Sequence, residues 1–234
     1  PRRMIHPEIP RTAVVPLKGY RLLHTKYPAI YVFEDVATPE AFDVLYEIQK
    51  LTNPRLTQEV GNLALLPRKE WVLGIRGAHY AMAAFTHVNP DGSRFSNGDY
   101  GVYYLGDSKE TALAEIVYHC HLYWHNVPDL KFERFEYRCL ETELEGCAFA
   151  DITGLPDSHP WYHPTDYHEP QQFGARLRVA GETGVTYRSV RKPGGICWAL
   201  LTPKPITSII QTSLHQIIWD KGIVSIGLVT PVSK

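Results

Sequence analysis

Apolar and polar positions alternate with two different periods along the chain, and the change of period marks out its elements. In TPEAFDVLYEIQKLT, from Thr38 to Thr52, the residues Phe42, Leu45, Tyr46, Ile48 and Leu51 recur at helical steps. Thr38 offers a capping hydroxyl, Pro39 suits the first helical position, Glu40 favours the positive end of the dipole, and Pro54 stops the run. A longer helix is predicted from the Ser108 cap through TALAEIVYHCHLYWH, with Leu113, Ile116, Val117, Cys120 and Trp124 on one side. HYAMAAF and QQFGARLRVAGETG are shorter helical candidates. Strand patterning takes over in YGVYYLG, KFERFEYRCLE, GCAFAD, ICWALLT, ITSIIQTSL and HQIIWD. Strands outnumber helices and come in consecutive runs, which predicts an α+β fold with much antiparallel pairing.

Residues 1–28 are rich in proline and basic side chains and read as an extended arm. Residues 153–170 read as a loop. The change of texture near Trp71 suggests an N-terminal arm and helix over residues 1–70, packed on a main domain over 71–234. With 234 residues, 44% hydrophobic and 21% charged, the chain is long enough for a core that needs no metal or disulfide staple. A formal net charge of -1 gives no sign of direct nucleic-acid or membrane-surface binding. Cys120, Cys139, Cys147 and Cys197 form no C-x-x-C pair and read as reduced thiols. No apolar run approaches the length that spans a bilayer. These features predict a bacterial-type cytoplasmic protein.

The stretch GSRFSNGDYGVYYLGDSKETALAE, from Gly92 to Glu115, carries polar groups that a core does not require. It strings Arg94 in a turn-rich loop, Tyr103 and Tyr104 in a short strand, and Glu115 in the following helix. Taken singly, each has an ordinary structural explanation. Arg94 could tie down its loop, one of the two tyrosines must face a core by the period of two, and a lone helical Glu is usually solvated. Glu115, however, shares its helix side with Thr111, Tyr118 and His119, an unusual set for open solvent. His119 lies one turn beyond Glu115 and is placed to orient its carboxylate.

A competing reading is metal chemistry. His121 and His125 share a helix face, His119 lies beside them, and His159, His163 or His168 could add a ligand. There is no H-E-x-x-H motif, however, and G-x-G-x-x-G, the P-loop and the G-x-S-x-G elbow are also missing.

The Gly92–Glu115 block and a second block, GVTYRSVRKPGGICWALL from Gly184 to Leu201, together resemble the RES-domain family, named for an Arg, a Glu and a Ser. Arg94, Tyr104, Glu115 and Ser189 fall at the family's positions, in the family's order. The resemblance implies an ADP-ribosyltransferase-like fold, with a mixed or antiparallel β core and flanking helices. It also implies a toxin of a toxin–antitoxin pair, with an Xre-like helix-turn-helix antitoxin as partner. The implied activity is cleavage of the nicotinamide–ribose bond of NAD, by phosphorolysis or hydrolysis. NAD is then substrate rather than cofactor, and inorganic phosphate is a candidate acceptor. ADP-ribosylation of a protein is the alternative within the class. A metal-dependent hydrolase and a catalytically inactive antitoxin-binding module are alternatives outside it.

The residue types suit the chemistry. The transition state resembles an oxocarbenium ion, which a carboxylate such as Glu115 stabilises. Arg94 offers a fork for pyrophosphate, Tyr104 a face for the nicotinamide ring, and Ser189 a hydroxyl for the carboxamide or a phosphate. Arg76, Tyr80, His87 and Arg191 lie in or beside the same blocks and are further candidates to line the pocket.

Overall fold

The computed structural model describes residues 9–14, 17–27 and 31–230. Among these residues, nine strands form one sheet: β1 (Arg11–Val14), β2 (Leu17–His24), β3 (Tyr103–Gly106), β4 (Phe132–Leu144), β5 (Cys147–Asp151), β6 (Gly184–Arg188), β7 (Ile196–Leu200), β8 (Ile206–Asp220) and β9 (Ile223–Val229). Their order across the sheet is β1-β5-β6-β7-β3-β2-β4-β8-β9, and every neighbouring pair is antiparallel except β5·β6. Five α-helices accompany them: α1 (Pro39–Lys50), α2 (Leu56–Val60), α3 (Ala78–Thr86), α4 (Lys109–His125) and α5 (His168–Val179). The class is therefore α+β, as the patterning predicts.

The helix signals work locally as expected. The Thr38 hydroxyl accepts the Ala41 N–H at 3.2 Å, and the Ser108 hydroxyl accepts the Thr111 N–H at 3.1 Å. Of the segment read as an extended arm, residues 1–8, 15, 16 and 28 lie outside the described residues, and β2 lies inside the sheet between β3 and β4. Its alternation is weak because Gly19 and Arg21 interrupt the apolar set, and its pairing partners are distant in sequence. The two late strands predicted at ITSIIQTSL and HQIIWD are one continuous strand, β8, with a register irregularity opposite Cys139/Leu140. Such an irregularity moves the apolar set from one face of the sheet to the other. Accordingly Ile209 belongs to one core, and Ile217 and Trp219 to another.

The sheet is covered on both faces. On one face, Phe42 of α1 and Met82 and Phe85 of α3 pack with Tyr103, Leu105, Leu140 and Ile209. On the other, α4 buries Cys120 and Trp124 against Tyr137, Ile217 and Trp219. On that same side, α5 buries Phe173 and Leu177 against Phe95, Val185 and Ala199. Tyr103 and Tyr104 therefore point to opposite faces. Tyr103 is fully buried, with its hydroxyl 2.9 Å from that of Thr142, and Tyr104 faces the side of α4 and α5.

Candidate active site

Three local devices bring the two sequence blocks together on the α4/α5 side. The first fixes the start of α4. Asp107 accepts the Ile196 N–H at 2.9 Å and the Thr111 hydroxyl at 2.6 Å, joining the first turn of α4 to β7. The second seats the Arg94 loop. Phe95 is fully buried against Tyr187, and its N–H donates at 3.0 Å to the Tyr104 hydroxyl, which also meets the Ser93 hydroxyl at 2.8 Å. Gly174 of α5 lets this loop approach, since a β-carbon there would lie 2.1 Å from the Phe95 carbonyl oxygen. The third is the turn after β6. The Ser189 hydroxyl oxygen accepts the N–H groups of Arg191 at 3.1 Å and Lys192 at 2.9 Å. Its proton is thereby free to go elsewhere.

That proton goes to Glu115. Ser189 Oγ donates to Glu115 Oε1 at 2.6 Å, and the Cys197 thiol lies 3.9 Å from the same oxygen. The sequence reading gave Ser189 a direct role toward substrate, whereas in the structure its hydroxyl holds the carboxylate. Ser189 also lines a cleft of about 470 Å³ together with Asp157, Tyr162, Pro164, Arg188 and Val190. A short charge-assisted hydrogen bond of this kind fixes a carboxylate rotamer more firmly than a neutral one would.

Arg94 is buried, at 7% exposure. It donates from Nη1 to the carbonyl oxygens of Trp161 at 3.0 Å and His163 at 2.9 Å, and its guanidinium carbon lies 4.7 Å from the centre of the Tyr167 ring. It does tie down a loop, as its ordinary structural reading holds, but the loop is 161–167 rather than its own. Arg191 grips the same segment from the other side. Its guanidinium stacks on Tyr118 of α4 at 3.3 Å, and it donates to the Pro164 carbonyl. Arg191 Nε is buried and has no hydrogen-bond partner.

The electrostatics are those of a crowded, partly dry site. Burial pushes the Tyr104 phenol up to about 12, with Ser93 and the Phe95 amide opposing. Burial pushes the Tyr187 phenol well above its ordinary value, and the neighbouring Cys197 and then Glu115 add to the effect. The Cys197 thiol is also raised, first by burial and then by Glu115, so it stays protonated beside the carboxylate. The His119 ring keeps an edge in water, yet desolvation and then the charges of Arg191 and Arg94 hold it below the ordinary imidazole value. His119 therefore stands beside the site, but the hydrogen bond to Glu115 comes from Ser189.

Other candidates lie elsewhere. Arg76 is exposed, and its carbonyl accepts the Ile209 N–H. The Tyr80 ring lies tilted against that of His79, centroids 3.9 Å apart, beside Glu34 and Tyr31. His87 bridges the Gln58 carbonyl and the Thr86 hydroxyl. The histidine cluster is not assembled for a metal. The His121 and His125 rings lie parallel, 6.0 Å apart, and His121 packs 5.7 Å from Trp219. Among the described residues, no three His, Cys, Asp or Glu side chains are placed to share an ion. The sequence reading placed Tyr118 beside Glu115 but missed Tyr187, Cys197 and Tyr167. Tyr187 and Cys197 stood inside the Gly184–Leu201 block, two residues before Ser189 and one strand after it, where the period of two points them to the same face.

This is the arrangement of an arginine, a glutamate and a serine on one side of a mixed sheet, and the RES domain family matches residues 70–220 of the chain. The chain belongs to the RES-domain family. Its RES region is completed by strands from outside the matched segment, since β1 and β2 precede it and β9 follows it. A curated relative, the uncharacterized protein y4oC of Sinorhizobium fredii (strain NBRC 101917 / NGR234), is 27% identical over 201 residues, covering 86% of this chain and 82% of that protein. Among solved structures, the M. tuberculosis MbcT–MbcA toxin–antitoxin complex is similar to 86% of this chain and 87% of its own matched chain. The TM-score is 0.46 and the identity 12%. Among the described residues, no helix of this RES-domain protein is long and apolar enough to cross a membrane.

Proposed function

We propose that this RES-domain protein is a toxin that cleaves the nicotinamide–ribose bond of NAD and is held in check by an antitoxin partner. The observation that carries the reading is the Glu115 carboxylate, oriented by Ser189 beside the cleft that Ser189 helps to line. Bond breaking leaves positive charge on the ribose, and a fixed carboxylate stabilises that charge without reorganising when it forms. Ser189 acts as a positioning residue. Arg94, cationic and buried near the same site, favours the pyrophosphate end of the substrate. Tyr104 and Tyr187 stay neutral phenols and add no competing negative charge beside the carboxylate.

Water, inorganic phosphate and a protein side chain remain candidate acceptors for the ribose carbon, and phosphorolysis or hydrolysis is the preferred reading over protein ADP-ribosylation. A helix-turn-helix antitoxin of the Xre kind is the proposed partner, because uncontrolled loss of NAD would kill the host.

The test is NAD consumption by the purified protein, with and without phosphate, beside Glu115→Gln. Removing one preorganised electrostatic group typically lowers kcat by about 10²–10³-fold. We expect a loss of that order for Glu115→Gln, and phosphate dependence would select phosphorolysis. Equal NAD loss by the variant and the wild type would overturn the assignment.

A further inference from the structure

The two edges of the sheet are built differently. At one end stands β1, four residues long, with Arg11 paired to Glu182 at 2.7 Å. A short, charged edge is a common protection against unwanted strand pairing. At the other end stands β9, with sequence IVSIGLV. It is seven residues long and contains no charge and no proline. It pairs with β8 on one side and, among the described residues, with nothing on the other. Every second residue of such a strand turns its N–H and C=O outward, so β9 offers a free ladder.

Its side chains are as open as its backbone. Val224 is 60% exposed, Ile226 41% and Leu228 59%. Ile226 lies opposite Ile217 and Leu228 opposite His215, so both stand on the face that α4 covers over Ile217 and Trp219. α4 does not reach them. The apolar face runs on past the helix and stops at an uncovered shelf.

We propose that β9 pairs antiparallel with β9 of a second copy of this chain, about a two-fold axis through Ile226. The sequence of the strand is the argument for this occupant. In that register Ile226 meets Ile226, Ser225 meets Gly227 and Val224 meets Leu228, while the irregularity opposite Ile218/Trp219 leaves Ile223 outside the regular ladder. Apolar faces apolar and small faces small at each of these positions, with no charge to repel. A two-fold contact requires this self-complementarity, whereas a strand from an unrelated partner would leave the palindromic pattern unexplained. The two sheets join into one, and the two shelves meet across the axis as a single apolar strip. The proposal does not depend on the reaction at Glu115.

The experiment is sedimentation equilibrium on the full chain and on Ile226→Lys and Ile226→Glu. Both substitutions fall on an exposed position, and circular dichroism checks that the fold is intact. Like charges directly opposite each other in a strand pair are destabilising, and opposite charges are not. The expected result is a dimer for the wild type, a monomer for each variant alone, and a dimer again when the two variants are mixed. A monomeric wild type overturns the proposal. So does a dimer that persists in either single variant. Monomeric variants that fail to re-pair on mixing overturn the two-fold register at Ile226.

Discussion

Ser189 is the residue whose part the structure changes most. Its hydroxyl accepts two backbone N–H groups and donates to Glu115, so all of its hydrogen-bonding capacity is used within the protein. A hydrogen bond to a charged group is worth about 1.5–3 kcal/mol, or roughly a tenfold to hundredfold effect if it is needed in the transition state. Ser189→Ala should therefore lower kcat for NAD by that factor with little change in KM. A KM effect alone would return Ser189 to direct substrate contact. Sequence reasoning placed Arg94, Glu115 and Ser189 in one site because the blocks match a family pattern. It could not see that Ser189 bonds Glu115, since that contact joins residues 74 positions apart. Tyr187 was missed because a tyrosine in a short strand reads as core, and by burial that is what it is.

At the scale of elements, what was legible depended on how local the cause was. The caps of α1 and α4 rest on side chains three residues from the amides they accept, and both were visible in the sequence. β2 was not, because its register is set by strands far along the chain. β8 was split in two because the irregularity within it breaks the period of two. The Arg94 loop shows the same dependence on distant elements. Its position rests on α5, where Gly174 leaves room for the Phe95 carbonyl. Gly174→Ala would place a β-carbon 2.1 Å from that oxygen and push the loop away. NAD turnover should fall at least tenfold for this substitution, as about 1.4 kcal/mol of misplacement suffices for that factor. Gly154→Ala, with nothing within 4 Å of the added carbon, should leave turnover unchanged. Steady-state kinetics on the two variants compares them directly.

At the scale of the whole molecule, several histidines bias stability toward neutral pH. His24 is held below the ordinary imidazole value by desolvation and then by Lys26 and Arg138, and its Nδ1 accepts the Lys26 N–H at 3.0 Å. His215 is lowered by desolvation and then by Lys109, and His119 by desolvation and then by Arg191 and Arg94. Above the unfolded-state value of about 6.5, these rings are neutral in both states and contribute no pH dependence. As pH falls below it, the unfolded chain takes up protons that the folded chain resists, so stability is lost. The thermal midpoint should be lower at pH 5.5 than at pH 7.5, and a scan showing an equal or higher midpoint at the acid end would contradict this account.

The place of β2 in the sheet also bears on the birth of the protein. Residues 17–24 are made before residues 137–144, with which they pair, and those in turn pair with β8, which is made later still. β2 must wait, without its β4 ladder, until that later segment has been made. The Glu115 site depends on β7 and on the turn at Ser189, which are translated after Glu115 itself. A ribosome therefore carries a chain whose Glu115 site is incomplete until β7 has been made. On the proposed reading, that interval is the time in which a restraining partner can be supplied.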